Sequence, residues 1–88
     1  MRYRVKLHRT VARILSRVNP KERSRVIQGL RVLETNPYEP RIGADIVRLK
    51  GTKGREDMFR LRIGNYRAVY TIERRTVYVT DFFHRGVR

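Results

Sequence analysis

The chain has no cysteine, which excludes a disulfide framework and a thiolate metal site and is compatible with a reducing cytosol. It has no apolar run approaching the length of a membrane span, and no charged-then-apolar leader opens it. A cytoplasmic protein with no membrane partner is expected. Acidic residues are scarce, 8 against 22 Lys+Arg. Glu56, Asp57 and Asp81 form no convincing carboxylate cluster for magnesium, so neither a metal nor another cofactor is expected. The glycine- and base-rich stretch Lys50-Gly51-Thr52-Lys53-Gly54-Arg55 lacks the Gly-Lys-Ser/Thr ending and the following helix of a nucleotide-binding loop. There is no internal repeat and no low-complexity segment, and residues 1–88 read as one small domain with a modest core.

What is present is positive charge. The net charge is +14 and the pI about 11.5, which points to a polyanion, an acidic protein partner, or both. Arginine far outnumbers lysine. Guanidinium forks match phosphate oxygens two at a time, so the bias suits phosphate contacts.

In chain order, Tyr3-Arg4-Val5-Lys6-Leu7 alternates and predicts a first strand that His8 ends. Thr10 is the expected N-cap of a short helix whose apolar stripe is Val11, Ile14, Leu15 and Val18. Asn19-Pro20-Lys21-Glu22 predicts a second helix, with Asn19 as cap, Pro20 at the first position and Glu22 as the capping-box acid. That helix is expected to run to about Glu34, with Val26, Ile27, Leu30 and Leu33 inward and Gly29 weakening it slightly. Asn36-Pro37 ends it, and residues 38–45 read as a loop. Ile46 to Leu49 is a short strand before the basic loop.

Phe59-Arg60-Leu61-Arg62-Ile63 and Tyr66-Arg67-Ala68-Val69-Tyr70-Thr71-Ile72 both alternate, and Gly64-Asn65 joins them as a tight hairpin. This pairing sets Arg62 opposite Arg67. Period two places the apolar residues on one face and Arg60, Arg62 and Arg67 on the other. Like charges directly opposite in a sheet destabilise it, so an anionic ligand is expected there. After a turn at residues 73–76, Val77 to Phe83 is a final strand. Strict alternation puts Phe82 and His84 on the arginine face, and Phe83 and Arg85 on the other. Only a bulge or the strand's end would bring both Arg85 and His84 in. The predicted fold class is α+β: an N-terminal strand and two-helix hairpin packed on a mainly antiparallel sheet.

This order, together with Leu49-Lys50-Gly51, Gly64-Asn65-Tyr66-Arg67-Ala68-Val69-Tyr70 and His84-Arg85, resembles the RelE/ParE toxin superfamily, in particular the RelE-like endonucleases. The resemblance spans nearly the whole chain. It implies a RelE-like, microbial-RNase-type fold and the toxin of a type II toxin–antitoxin system. The implied activity is metal-independent cleavage of mRNA in the ribosomal A site, which blocks translation. Its implied partners are the ribosome, mRNA and an antitoxin protein that forms a hetero-oligomer with it. Arg67 matches the family arginine at the scissile phosphate, and Arg85 the arginine after the last strand. Arg60 and Arg62 match two basic positions on the preceding strand. Val87 stands where some relatives have a histidine, and the C-terminal tyrosine of the best-known member has no counterpart up to Arg88.

The expected roles follow from side-chain chemistry. Arg67 and Arg85 would stabilise the phosphate and its transition state, because preorganised cations suit developing negative charge. Arg62 would assist them while it and Arg60 bind the backbone. His84 carries either proton transfer or no catalytic duty. Lys50, Lys53 and Arg55 would grip RNA, and Phe82 would stack a base. Two other functions fit the same residues: inhibition of DNA gyrase, as in the ParE branch, and RNA or ribosome binding without cleavage.

Overall fold

The computed structural model describes residues 2–49 and 57–85 of the chain. Lys50, Lys53 and Arg55, the expected grip on RNA, lie outside the described residues. The chain forms β1 (Arg4–Leu7), α1 (Arg9–Ser16), α2 (Pro20–Leu30), a 3-10 turn (Arg31–Glu34), β2 (Asp45–Leu49), β3 (Met58–Ile63), β4 (Tyr66–Glu73) and β5 (Thr76–His84). One sheet holds all five strands in the order β1-β5-β4-β3-β2. β1 runs parallel to β5, and the other pairings are antiparallel. The expected α+β architecture is therefore the observed one.

Local chemistry explains the helix boundaries. His8, not Thr10, caps α1: the Thr10 backbone N–H donates to His8 Nδ1 at 3.1 Å. Asn19 caps α2 as expected, accepting from the Glu22 N–H at 2.9 Å, with Pro20 at the first helical position. The Glu22 carboxylate turns instead to β4, accepting from the Tyr66 hydroxyl at 2.7 Å. Arg23 closes the C-terminal end of α1, donating to the carbonyls of Leu15, Ser16 and Val18 at 3.2, 3.1 and 2.8 Å. Arg41 does the same after the 3-10 turn, donating to the Val32, Asn36 and Glu39 carbonyls. These two arginines are structural.

Val11, Leu15, Val26, Leu30 and Leu33 pack onto Ile46, Phe59, Leu61, Ile63, Ala68, Tyr70, Val77, Val79 and Phe82, so both helices cover one face of the sheet. Tyr70 is fully buried and donates its hydroxyl to the Pro37 carbonyl at 2.8 Å. Ile27 corrects the expected stripe: α2 ends at Leu30, and Ile27 remains 46% exposed at its rim.

Gly29 has a second role that helix propensity does not show. A Cβ there would sit 2.8 Å from Ile63 Cγ2, so the glycine lets α2 lie close against β3. Propensity alone predicts that Gly29→Ala stabilises a helix interior by about 1 kcal/mol. We expect the reverse, a loss of about 1–2 kcal/mol in urea unfolding, because overpacking a filled core forces side chains aside. In an Ile63→Ala background the same substitution should become stabilising.

Candidate nucleic-acid interface

The hairpin turn is as expected. Gly64 takes φ 58°, the left-handed conformation that a two-residue hairpin with glycine first requires. Ile63 faces Tyr66, and Arg62 faces Arg67. Arg60 lies opposite Val69 on the same outer face, turned away from the helices.

The last strand departs from strict alternation. Tyr70 pairs with Val79, but Val69 pairs with Asp81, so Thr80 is an extra residue. Such a bulge shifts every later side chain to the opposite face. Phe82 is therefore core, not a base-stacking group: it is 2% exposed and stacks on Tyr66 at 5.2 Å with an interplanar angle of 7°. Phe83, expected inside, is 42% exposed and sits opposite Arg67. His84 pairs with Tyr66 and meets its ring edge-on at 5.0 Å, so it is on the helix side rather than among the arginines. Arg85 then comes to the arginine side, where its charge acts on Arg67. Its backbone N–H donates to the Asn65 carbonyl at 2.6 Å, tying the end of β5 to the hairpin turn.

The outer face thus gathers Arg60, Arg62, Arg67 and Arg85. Arg67 is half-buried at the centre. Partial desolvation, then repulsion from Arg60, Arg62 and Arg85, holds its guanidinium below the usual arginine value, while Asp45 pulls the other way. Asp45 faces Arg62 across the β2–β3 ladder, and Asp81 faces Val69 beside the patch. Sequence reasoning missed both carboxylates as neighbours of the patch, although the strand parity that placed Arg62 would have found Asp45. Val69 is buried on this face, between the strands that carry Arg60 and Asp81. Among the described residues the ion pairs are Arg2–Glu34 and Arg48–Asp57, and none of the four patch arginines takes part. No group of three or more His, Asp or Glu side chains among the described residues is placed to hold a metal ion. No described helix is long and apolar enough to cross a membrane.

Such a face can bind phosphate oxygens and stabilise negative charge as it develops. The four arginines themselves supply no base, because guanidinium stays protonated. On the other face, the Glu22 carboxylate that accepts the Tyr66 hydroxyl, with some desolvation, pushes the phenol above its ordinary value. That contact anchors the first residue of β4 to α2, next to Arg67.

The family model of the ParE toxin of type II toxin–antitoxin systems matches residues 2–87. The chain is a member of the RelE/ParE toxin superfamily. It is 32% identical over 72 residues to a Methanocaldococcus jannaschii protein named as toxin RelE1, covering 82% of this chain and 76% of that one. Among solved structures it resembles the archaeal RelE–RelB complex of Pyrococcus horikoshii OT3, with a TM-score of 0.81, 31% identity and all of both chains covered. The RelB–RelE antitoxin–toxin complex of Methanococcus jannaschii shares the fold at a TM-score of 0.63 and 23% identity, over 90% of this chain and 88% of that one. The RelE-like toxin fold expected from the sequence is thus the one found.

The bulge makes a direct prediction for two adjacent phenylalanines of this toxin. Phe82→Ala should cost about 3–5 kcal/mol in chemical denaturation, as for a large buried ring. Phe83→Ala should stay within about 1 kcal/mol of the parent. Equal losses would refute the assigned register.

Proposed function

We propose that this toxin is a metal-independent endonuclease that cleaves mRNA in the ribosomal A site and so stops translation. The observation that supports it is the convergence of Arg60, Arg62, Arg67 and Arg85 on one outer sheet face. RNA carries its own nucleophile. The 2′-hydroxyl gives its proton to water and attacks the adjacent phosphorus, the bond to the 5′-oxygen breaks as that oxygen takes a proton from water, and a 2′,3′-cyclic phosphate and a free 5′-hydroxyl result. Arg67 and Arg85 hold the phosphate oxygens and stabilise the extra charge of the phosphorane. Arg62 and Arg60 hold the flanking backbone. His84 drops out of the arginine set in this reading, because it stands against Tyr66 on the other face.

The regulator would be an antitoxin. The solved relatives are RelE–RelB complexes, and an acidic or amphipathic segment suits a +14 chain. Covering the arginine face would silence the protein, which we place in the cytoplasm with the ribosome. A second reading, inhibition of DNA gyrase, is favoured by the ParE description of the matching family model. In it the arginines would be surface charge.

Primer extension on a reporter message in a cell-free translation mixture separates these readings. The wild-type protein should cut at in-frame positions only when ribosomes are present. Arg67→Ala should cut about 10²–10³-fold more slowly, the usual cost of losing one preorganised charge-stabilising donor. Blocked translation with an intact message would mean ribosome binding without cleavage. If message and translation were both untouched, the nuclease assignment would fall, and gyrase would be assayed next.

A further inference from the structure

We propose that Phe83 is the base-stacking platform of this toxin, holding the nucleotide beside the phosphate that Arg67 and Arg85 would bind. The inference rests on the RNA reading of the arginine face and deepens it by naming the group that contacts a base.

Five observations carry it. Phe83 is directly opposite Arg67 in the β4–β5 ladder, so the ring and the guanidinium are cross-strand neighbours on one face. It is 42% exposed, whereas its sequence neighbour Phe82 is 2% exposed. Its outward position depends on the Thr80 bulge, the same irregularity that delivers Arg85 to this side. The other aromatic residues of the hairpin and of β5 beyond the bulge are already engaged: Tyr66 stacks on Phe82 and Phe59 on Tyr70. No ring contact of Phe83 with another aromatic occurs among the described residues.

An exposed phenyl ring among cations has a specific use. Single-stranded RNA offers a phosphate and an unstacked base at each step, and proteins meet the two with cations and aromatic faces side by side. A base lying on Phe83 would fix the sugar and the scissile phosphate relative to Arg67 and Arg85. Stacking tolerates every base, so the platform would set geometry and affinity more than sequence. The carboxylate of Asp81, on the same strand and face, bounds the site and steers the phosphates towards the arginine end.

The test uses a short fluorescein-labelled RNA with 2′-O-methyl riboses, which cannot be cut, and a matched strand with abasic sites. Binding is read by fluorescence anisotropy at low salt. Phe83→Ala should weaken binding of the base-bearing strand by about five- to a hundredfold, the range for loss of one stacked base. Phe83→Trp should restore it. Phe83→Leu, which keeps apolar bulk without a π face, should not. Wild type should bind the abasic strand about as weakly as Phe83→Ala binds the normal one. Arg67→Ala should weaken both strands and flatten the salt dependence.

If Phe83→Ala bound both strands like wild type while Arg67→Ala lost them, the platform would be refuted and the arginine reading kept. If wild type bound neither strand yet cut ribosomal messages, the platform on free RNA would again be refuted and the nuclease would stand. If wild type neither bound nor cut, both would fall. Phe83 is exposed, so circular dichroism of its variants should match the parent.

Discussion

One extra residue in β5 decides what the outer face of the sheet carries. Before Thr80, Val77 and Val79 point to the helices and are fully buried. After it the parity is reversed, so Phe82 enters the core and Phe83 and Arg85 leave it. A side chain in a strand has no intermediate option: period two sends it to one face or the other. Slipping back would only exchange one buried phenyl ring for the other, but it would also turn the Arg85 charge towards the helices, where burying an unpaired charge is costly. The core and the outer face therefore set the position of Arg85 together. The N–H of Arg85 on the Asn65 carbonyl then fixes the strand end against the hairpin.

Six arginines of this chain show two distinct uses of positive charge. Arg23 and Arg41 donate to backbone carbonyls at helix ends, where the Leu15 and Val32 carbonyls also accept a backbone N–H. Each replaces water at several acceptors with one rigid fork, and neither is available to a polyanion on those contacts. Among the described residues, Arg60, Arg62, Arg67 and Arg85 have no such acceptors. Net charge alone does not separate the two groups, since every one of these arginines adds one unit to the +14. What separates them is position: after helix ends for the first, on the outer face of strands for the second.

Much of this was legible before any coordinates. Period two in residues 59–63 and 66–72, with Gly64-Asn65 between, suffices to pair Arg62 with Arg67, because Gly64-Asn65 has the chemistry of a two-residue turn and that turn keeps both apolar sets on one face. Asn19-Pro20 marks the start of α2 for a similarly local reason. The unreadable parts are those where a local pattern meets a distant partner. Glu22 has the spacing of a capping-box acid, yet it bonds Tyr66, 44 residues away. Thr10 is the better cap by residue type, but the His8 ring nitrogen lies where the first helical N–H groups need an acceptor. Gly29 reads as a weak helix residue because Ile63 is invisible from it along the chain. The bulge is the clearest case. Phe82 and Phe83 are adjacent and chemically the same, and nothing in Thr80-Asp81 says which of them faces in.

The facing arginines raised the expectation that a ligand is needed to offset their repulsion, and the structure changes that argument. A like-charged cross-strand pair costs up to about 1 kcal/mol at an exposed site. Each large apolar side chain buried on the inner face of the same strands contributes about 1.5–3 kcal/mol. Phe59, Leu61, Ile63, Ala68 and Tyr70 are all buried there, so packing wins by a wide margin, and Asp45 relieves part of the repulsion. The core therefore holds the arginines together whether or not an anion is bound. That is the condition for electrostatic preorganisation: the cations need not be gathered when charge appears, since the cost of gathering them was met on folding. A bound phosphate would lower the repulsion and stabilise the folded chain through linkage. The direction of cause runs from the core to the patch, and from the patch to any anion that binds it.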